Sequence, residues 1–195
     1  MGNVPALRWV LGQAVDESTL SATQLLCVSH GGFVGGADRF DSSAFGISPA
    51  EASAMDPQQR LLLELGYASL HESSHRRVAL MGGDGGVFLG IERPDWGLAQ
   101  PPSARSSTYT LTGDNVSAAA GRLSFVLGVQ GPCSSIDTAC SSSLVAVHLA
   151  AQSIWNGECE VALAGGVNVM IGPNTAIAES KSGFLSPEGR SKAFD

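Results

Sequence analysis

Basic residues are scarce in this sequence of 195 residues. Lysine and arginine total 11 against 18 aspartates and glutamates, so the formal net charge is −7. A surface with this balance repels phosphate backbones, and the sequence contains no run of basic residues that would offset the repulsion. We therefore expect no nucleic-acid partner.

Paired cysteines are also absent. Cys27, Cys133, Cys140 and Cys159 form no C-x-x-C pair, which argues against a zinc site and a redox pair, so no metal is expected. Scattered cysteines in a chain of this size are typical of a reducing compartment. We expect an intracellular, cytoplasmic location and leave the organelle open.

Long apolar runs are scarce as well. A long uncharged stretch, residues 138–157, carries several polar side chains, which favours a core helix over a membrane span. The N-terminus shows no basic region followed by an apolar one, so no secretory signal is expected.

The first strong helix signal begins at Asp56. Asp56 is a good N-cap, Pro57 suits the first helical position, and Gln59 stands where a capping box needs it. Leucines then follow at roughly helical spacing as far as His71. This pattern predicts an amphipathic helix that packs on the core and takes no part in chemistry.

Strands and helices alternate after that helix. Residues 78–81 and 87–91 resemble strands, and the GGDGG between them predicts a turn, since no P-loop or G-x-G-x-x-G pattern fits it. Residues 92–107 resemble an exposed loop. A helix capped by Thr112 or Asp114 is expected to end at Gly128.

Residues 161–170 then resemble a buried strand, and the pair Gly165-Gly166 inside it suggests a close backbone approach or a bulge. Strand, helix, strand, helix, strand is the order of an α/β fold with a mainly parallel sheet. Residues 1–30 show no sustained period, and residues 184–194 resemble a loop.

The centre of the sequence is the stretch SSIDTACSSSLVAVHLAAQSIW, residues 134–155. Residues 134–138 predict a short buried strand, Ala139-Cys140 a sharp turn, and the following serines the start of a helix. That helix is apolar nearly all round, which predicts a helix buried on all sides. Asn156-Gly157 predicts its left-handed end.

Cys140 is the candidate nucleophile, because it stands where a strand passes into a helix among unpaired N–H groups. A helix N-terminus favours a thiolate by only about 0.3–1 kcal/mol, so full reactivity needs a further base or cation such as histidine. The same N–H groups suit the oxyanion of an attacked ester or thioester. A buried, inert cysteine is the alternative from spacing alone.

The histidines do not supply that base. His148 lies eight residues after Cys140 on the same helix, about 12 Å along its axis, and is expected to be a packed core residue. His71 and His75 are expected at the surface, and His30 has no readable role.

Two further groups have structural interpretations. Asp137 is expected to hold the turn by backbone hydrogen bonds, in preference to acting as a catalytic carboxylate. Cys133 and Cys159 are expected to be buried packing residues.

DTACSSSLVAVHLA, residues 137–150, resembles the active-site segment of β-ketoacyl synthases, specifically those of type I modular polyketide synthases. Further segments resemble other blocks of this family in the family's order. They are residues 31–64, 86–91, 119–132, 157–170 and 183–194. Residues 1–30 stay a poorly assigned N-terminal segment, and the resemblance implies a partial β-ketoacyl synthase domain, its N-terminal half, over 31–195.

The implied fold is thiolase-like, layered αβαβα, with a mainly parallel sheet and a buried nucleophile helix. The implied role of Cys140 is to accept an acyl group from the phosphopantetheine of an acyl carrier protein or from coenzyme A. A decarboxylative Claisen condensation with a malonyl thioester follows in the family, in polyketide or fatty acid biosynthesis. It uses two histidines and a lysine from motifs expected beyond Asp195.

The resemblance further implies an acyltransferase that binds no cofactor directly, works with an acyl carrier protein and forms a homodimer. The alternative is a non-catalytic truncated paralogue that pairs with a full ketosynthase. A cysteine hydrolase is a third candidate, disfavoured because Thr138 and Ser142 replace both glycines of a G-x-S-x-G elbow.

Overall fold

The computed structural model describes residues 2–5 and 16–189. These residues fall into two compact units, one within Met1–Gly36 and Met170–Asp195, the other Ala37–Val169. The described helices are α1 (Ala22–Val28), α2 (Pro49–Ala54), α3 (Pro57–Glu72), α4 (Arg77–Leu80), α5 (Trp96–Ala99), α6 (Thr110–Gly113), α7 (Val116–Leu127), α8 (Ser142–Trp155) and α9 (Asn174–Lys181). The described strands are β1 (Gly2–Asn3), β2 (His30–Gly31), β3 (Gly86–Ile91), β4 (Cys133–Ile136) and β5 (Ala162–Val167).

The larger unit is built on a parallel sheet with strand order β4-β3-β5. Alternate residues of β3 face opposite sides, as the pleat requires. Val87 and Leu89 join the core that α3 and α7 share, whereas Phe88 packs against Ala146 and Ala150 of α8. The predicted α/β class with a mainly parallel sheet is confirmed.

The nucleophile helix α8 differs from its prediction in burial. Its buried residues, Ser142, Ala146, Ala150 and Ser153, form one stripe. Leu144 on another face is 72 % exposed. The expectation of burial on all sides is wrong for the described residues, because the sheet covers one face of the helix and small side chains make that contact.

Helix α3 begins as predicted, with one difference at its cap. The Asp56 carboxylate accepts a hydrogen bond from the Gln58 N–H at 2.6 Å, and Pro57 opens the helix. Gln59 does not close a capping box. Its amide instead donates to the carbonyls of Thr112 and Gly113 at 3.0 and 3.1 Å, because tertiary acceptors lie within its reach.

Residues 78–81 do not form the predicted strand. Residues 77–80 form the short helix α4, in which Leu80 is buried and Val78 is 84 % exposed. A run of four apolar residues does not distinguish one helical turn from a strand, and this run pairs with no described strand.

The connection after β3 and the start of α7 also differ in detail. The expected loop of residues 92–107 contains the short helix α5 and a 3₁₀ turn at Ala104–Ser106. Asn115 caps α7, in place of the predicted Thr112 or Asp114. The predicted end at Gly128 is confirmed, with φ of 74°.

The smaller unit contains a helix that the sequence interpretation left unassigned. Ser21 and Gln24 form a complete capping box at the start of α1. The Ser180 hydroxyl of α9 donates to the Gln24 carbonyl at 3.0 Å. Residues 6–15 of the unassigned segment and 190–194 of the predicted final loop lie outside the described residues.

Candidate active site

The strand that leads to Cys140 is β4, at one edge of the described sheet. It covers Cys133–Ile136, close to the predicted residues 134–138, and is partly exposed. The expectation of a buried strand is wrong, because an edge strand has a neighbour on one side only.

The predicted turn between β4 and α8 is present. Ala139 has φ of 56°, a left-handed conformation that is costly for any residue with a Cβ. The Asp137 carboxylate accepts a hydrogen bond from the Ala139 N–H at 3.0 Å, so its predicted role in holding the turn is confirmed. The turn leaves the Cys140 side chain exposed.

The buried side chain of Ser142 stabilises this turn. Its buried hydroxyl accepts a hydrogen bond from the Thr138 N–H at 2.8 Å and donates one to the Ala139 carbonyl at 2.6 Å. Two backbone groups that precede Cys140 in sequence are thereby bonded to the first residue of α8. The sequence interpretation treated this serine only as a helix opener, and no local pattern marks its second role.

Two glycines bring the sheet against the start of α8. A Cβ on Gly90 of β3 would lie 2.7 Å from the Ser142 carbonyl carbon and 2.7 Å from the Ser143 nitrogen. A Cβ on Gly166 of β5 would lie 2.6 Å from the Ser143 Cβ. The close approach predicted at Gly165-Gly166 is confirmed at Gly166, whereas the equivalent role of Gly90 was not predicted.

The turn places Cys140 just before α8, whose first N–H groups have no partner within the helix. Two N–H groups there are already used by the turn, since Ser141 and Ser142 donate to the carbonyls of Thr138 and Ala139 at 3.4 and 3.1 Å. Such groups stabilise negative charge on a thiolate or on an oxyanion formed beside it. No described residue hydrogen-bonds to the Cys140 thiol, so the described part of the chain supplies no base to it.

The histidines lie elsewhere. His148 is exposed on α8, and the expectation of a packed core residue is wrong because its face of the helix points away from the sheet. His71 and His75 are exposed at the end of α3, as predicted. His30 Nδ1 lies 3.0 Å from the Leu26 carbonyl oxygen, a local contact.

A buried amide connects the ends of two strands on the same side of the sheet. The Gln58 side chain accepts a hydrogen bond from the Val169 N–H at 3.1 Å and donates one to the Glu92 carbonyl at 3.3 Å. Glu92 follows β3 and Val169 follows β5, so Gln58 fixes the carboxyl edge of the sheet. The role in scaffolding predicted for this part of α3 agrees with these contacts.

Asp56 is buried beside this framework and has a perturbed pKa. Burial, reinforced by the nearby charges of Asp114 and Asp95, raises the pKa of Asp56 from 3.8 to about 6. The hydrogen bond from the Gln58 N–H opposes the rise. Asp56 therefore titrates within the folded protein near pH 6.

Cys133 and Cys159 differ in exposure. Cys159 is buried as predicted, but Cys133 is exposed, because it opens the edge strand. The described ranges contain no cluster of His, Cys, Asp and Glu suited to a metal ion. None of their helices has the length and apolar character needed to cross a membrane.

Solved structures define the class of the fold. The ketosynthase from module 6 of the bacillaene synthase of Bacillus subtilis 168 matches with a TM-score of 0.81 and 34% identity, over 99% of this chain and 30% of that chain. An oxazolomycin ketosynthase domain of Streptomyces albus matches with a TM-score of 0.83 and 34% identity, over 98% and 34%. The fold is that of the thiolase-like ketosynthases.

The family model described as β-ketoacyl synthase, N-terminal domain, matches residues 1–195. The chain therefore belongs to the β-ketoacyl synthase family, and it resembles the ketosynthase regions of polyketide synthases.

Two curated relatives are polyketide synthases. A phenolphthiocerol/phthiocerol polyketide synthase of Mycobacterium tuberculosis is 44% identical over 198 residues, 98% of this chain and 9% of that protein. Polyketide synthase GfsB of Streptomyces halstedii is 47% identical over 167 residues, 85% and 3%. The chain thus spans less than a tenth of these relatives' length.

Proposed function

We propose that this chain provides the acyl-accepting site of a polyketide-type condensing enzyme, with Cys140 as the nucleophile. One observation carries the proposal. An exposed thiol lies on a left-handed turn directly before α8, and Asp137 and Ser142 hold that turn. Membership of the β-ketoacyl synthase family supports the assignment of this thiol to acyl transfer.

In the first half-reaction, the Cys140 sulfur attacks the carbonyl carbon of an acyl thioester. A new S–C bond forms, the bond to the pantetheine sulfur breaks, and the proton of Cys140 ends on the departing thiol. The N–H groups at the start of α8 suit the transient oxyanion. Exposure of Cys140 gives a long pantetheine arm access from solvent.

In the second half-reaction, a malonyl thioester loses CO₂, and the resulting carbanion attacks the acyl group on Cys140. A C–C bond forms, the S–C bond to Cys140 breaks, and Cys140 leaves as a thiolate that takes a proton from water. This step needs groups that assist decarboxylation, a role that the resemblance gives to histidines outside this sequence. We therefore expect the 195 residues to accept an acyl group slowly and to make no β-ketoacyl product.

The partners follow from the same chemistry. The acyl group arrives on the phosphopantetheine of an acyl carrier protein or on coenzyme A, and the chain needs no bound cofactor of its own for acyl transfer. The reducing compartment predicted from its cysteines is consistent with a free catalytic thiol.

A homodimer is part of the proposal. β4 is an edge of the described sheet and is partly exposed, so its unpaired backbone groups can pair with a second copy. Light scattering should give twice the chain mass of 20.0 kDa. A monomer at all concentrations would contradict this part.

The acylation test compares two exposed cysteines. The chain is incubated with a short acyl thioester of N-acetylcysteamine, and the adduct is located by peptide mass mapping. We expect acylation at Cys140 at least about tenfold faster than at Cys133, lost in Cys140→Ala and retained in Cys133→Ala. Equal labelling of the two cysteines would overturn the assignment of Cys140 as the nucleophile.

The same experiment separates the second candidate, a non-catalytic paralogue that pairs with a full ketosynthase. The exposed Leu144 and Val147 on α8 favour a protein partner for that face. Absence of preferential acylation, together with a stable complex with a full ketosynthase in light scattering, would favour this candidate.

A further inference from the structure

A second concave site lies at the end of α3, where this helix meets α4 and the end of α7. It is a cavity of about 320 Å³, within the size range of small-molecule sites. Its basic side chains are His71, His75, Arg76 and Arg77, and its apolar lining includes Leu70 and Leu127. We call it the α3–α4 cleft.

The cleft lies at the amino ends of the strands, whereas Cys140 lies at their carboxyl ends. Leu70 and Leu127, which line it, also pack around Gly86 at the amino end of β3. Cys140 follows the carboxyl end of β4, which is parallel to β3. The six residues of β3 place its two ends roughly 15–20 Å apart, so the cleft is not part of the site around Cys140.

The basic groups of the cleft stand out in an acidic chain. Arg76-Arg77 is the one place in the sequence where two lysines or arginines are adjacent, and the net charge is −7. Two of the four histidines join them in the same cavity. His75 Nδ1 lies 3.1 Å from the Ser73 hydroxyl, which orients its ring.

Arg77 also carries an unsatisfied donor. Its Nε is buried and has no hydrogen-bond partner among the described residues. A buried donor without a partner is costly, and arginine suits the planar, paired acceptors of carboxylate and phosphate groups.

We propose that the α3–α4 cleft binds a small organic anion, with a phosphate or carboxylate head at Arg76, Arg77 and the two histidines. Leu70 and Tyr67 contact its apolar body. This site is independent of acyl transfer at Cys140, so a failure of either proposal leaves the other standing.

The test is calorimetric titration of the full 195-residue chain with phenyl phosphate, benzoate and phenol at constant ionic strength. We expect saturable binding of at least one anion with a dissociation constant below about 1 mM, and none of phenol. The stronger anion identifies the preferred head group. Arg77→Gln should weaken its binding at least tenfold.

Two variants complete the design. Val78→Glu places a negative charge in the cleft, which repels the anion and should also weaken binding at least tenfold. Val78 is exposed, so the fold tolerates the substitution. Arg93→Gln, an exposed arginine after the far end of β3, removes the same charge and should change binding less than twofold. Equal binding of phenol, unchanged binding in Val78→Glu, or no anion that binds with a dissociation constant below about 1 mM would overturn the proposal.

Discussion

Gly90 and Gly166 are register partners on β3 and β5, and both lie against the first residues of α8. A methyl group on either would overlap Ser142 or Ser143, at 2.6–2.7 Å. The first turn of α8 therefore meets the sheet at a place where only glycine leaves room. The position of Cys140 depends on this pair.

Alanine at either glycine should destabilise the fold. We expect Gly166→Ala to lower the free energy of unfolding by about 1–3 kcal/mol, because the added methyl group meets the Ser143 side chain. Gly165→Ala is the matched control, since its nearest contact would be Leu89 at an ordinary 3.9 Å. Urea unfolding measures both, and equal losses at Gly165 and Gly166 would contradict the close approach.

Removal of the Ser142 hydroxyl should loosen the turn. Ser142→Ala breaks the hydrogen bonds to Thr138 and Ala139, with an expected loss of about 1–2 kcal/mol in unfolding free energy. The iodoacetamide labelling rate of Cys140 should change relative to that of Cys133 in the same molecule. Ser143→Ala, at an exposed position of the same helix turn, leaves both Ser142 bonds intact and should keep the ratio. An unchanged ratio in Ser142→Ala would rule out its role in holding the turn.

Glycine at position 139 should relieve strain. Ala139 has φ of 56°, and Ala139→Gly removes the Cβ that makes this conformation costly. We expect the free energy of unfolding to rise by up to about 1 kcal/mol, the relief being partly offset by the greater entropy of the unfolded chain. Ala151→Gly within α8 should lower it by about 1 kcal/mol, so the two substitutions should differ in sign.

Asp56 should make stability depend on pH. Its pKa is about 6 when folded and near 3.8 when unfolded, so between pH 4 and 6 the folded state binds more protons. Stability from this group therefore rises as pH falls from about 6 to 4, by up to about 3 kcal/mol. The raised pKa of Asp56 is caused first by burial and then by the charges of Asp114 and Asp95.

The check is urea unfolding of Asp56→Asn across pH 4–7. Asparagine keeps an oxygen that can accept the Gln58 N–H but loses the titration, so the dependence on pH in this window should flatten. Asp38→Asn, an exposed aspartate, should leave the dependence as in the parent chain. A parent chain that loses stability on acidification from pH 6 to 4 no less steeply than Asp56→Asn would contradict the raised pKa.

Signals between near neighbours in sequence predicted much of the fold. The cap at Asp56, the turn at Ala139-Cys140 and the helix end at Gly128 are confirmed, because each depends on a few consecutive residues. Residues 78–81 failed for the same reason, since four apolar residues fit a strand and a helical turn equally.

The candidate site was only partly predictable. Cys140 and the turn role of Asp137 came from local order and from the family resemblance. Gly90 did not, because its contacts depend on which strand lies beside the start of α8. The role of Ser142 did not either, because no sequence pattern marks its hydrogen bonds to Thr138 and Ala139. Exposure of His148 and Leu144 depends on which face of α8 packs on the sheet. The sequence of an almost wholly apolar helix does not indicate that face.

The α/β order of elements, the family and the cysteine in the turn after β4 could all be predicted from the sequence alone. These rest on composition and on contacts a few residues apart, which the chain order specifies directly. Only the tertiary structure decided that Gly90 and Gly166 pair beneath α8, that β4 is an edge of the described sheet, and that Arg76-Arg77 and two histidines share one cleft. Gly90 and Gly166 are far apart in the chain, as are residues 71–77 and Leu127, which lines the same cleft. Packing of strands and helices sets their distances.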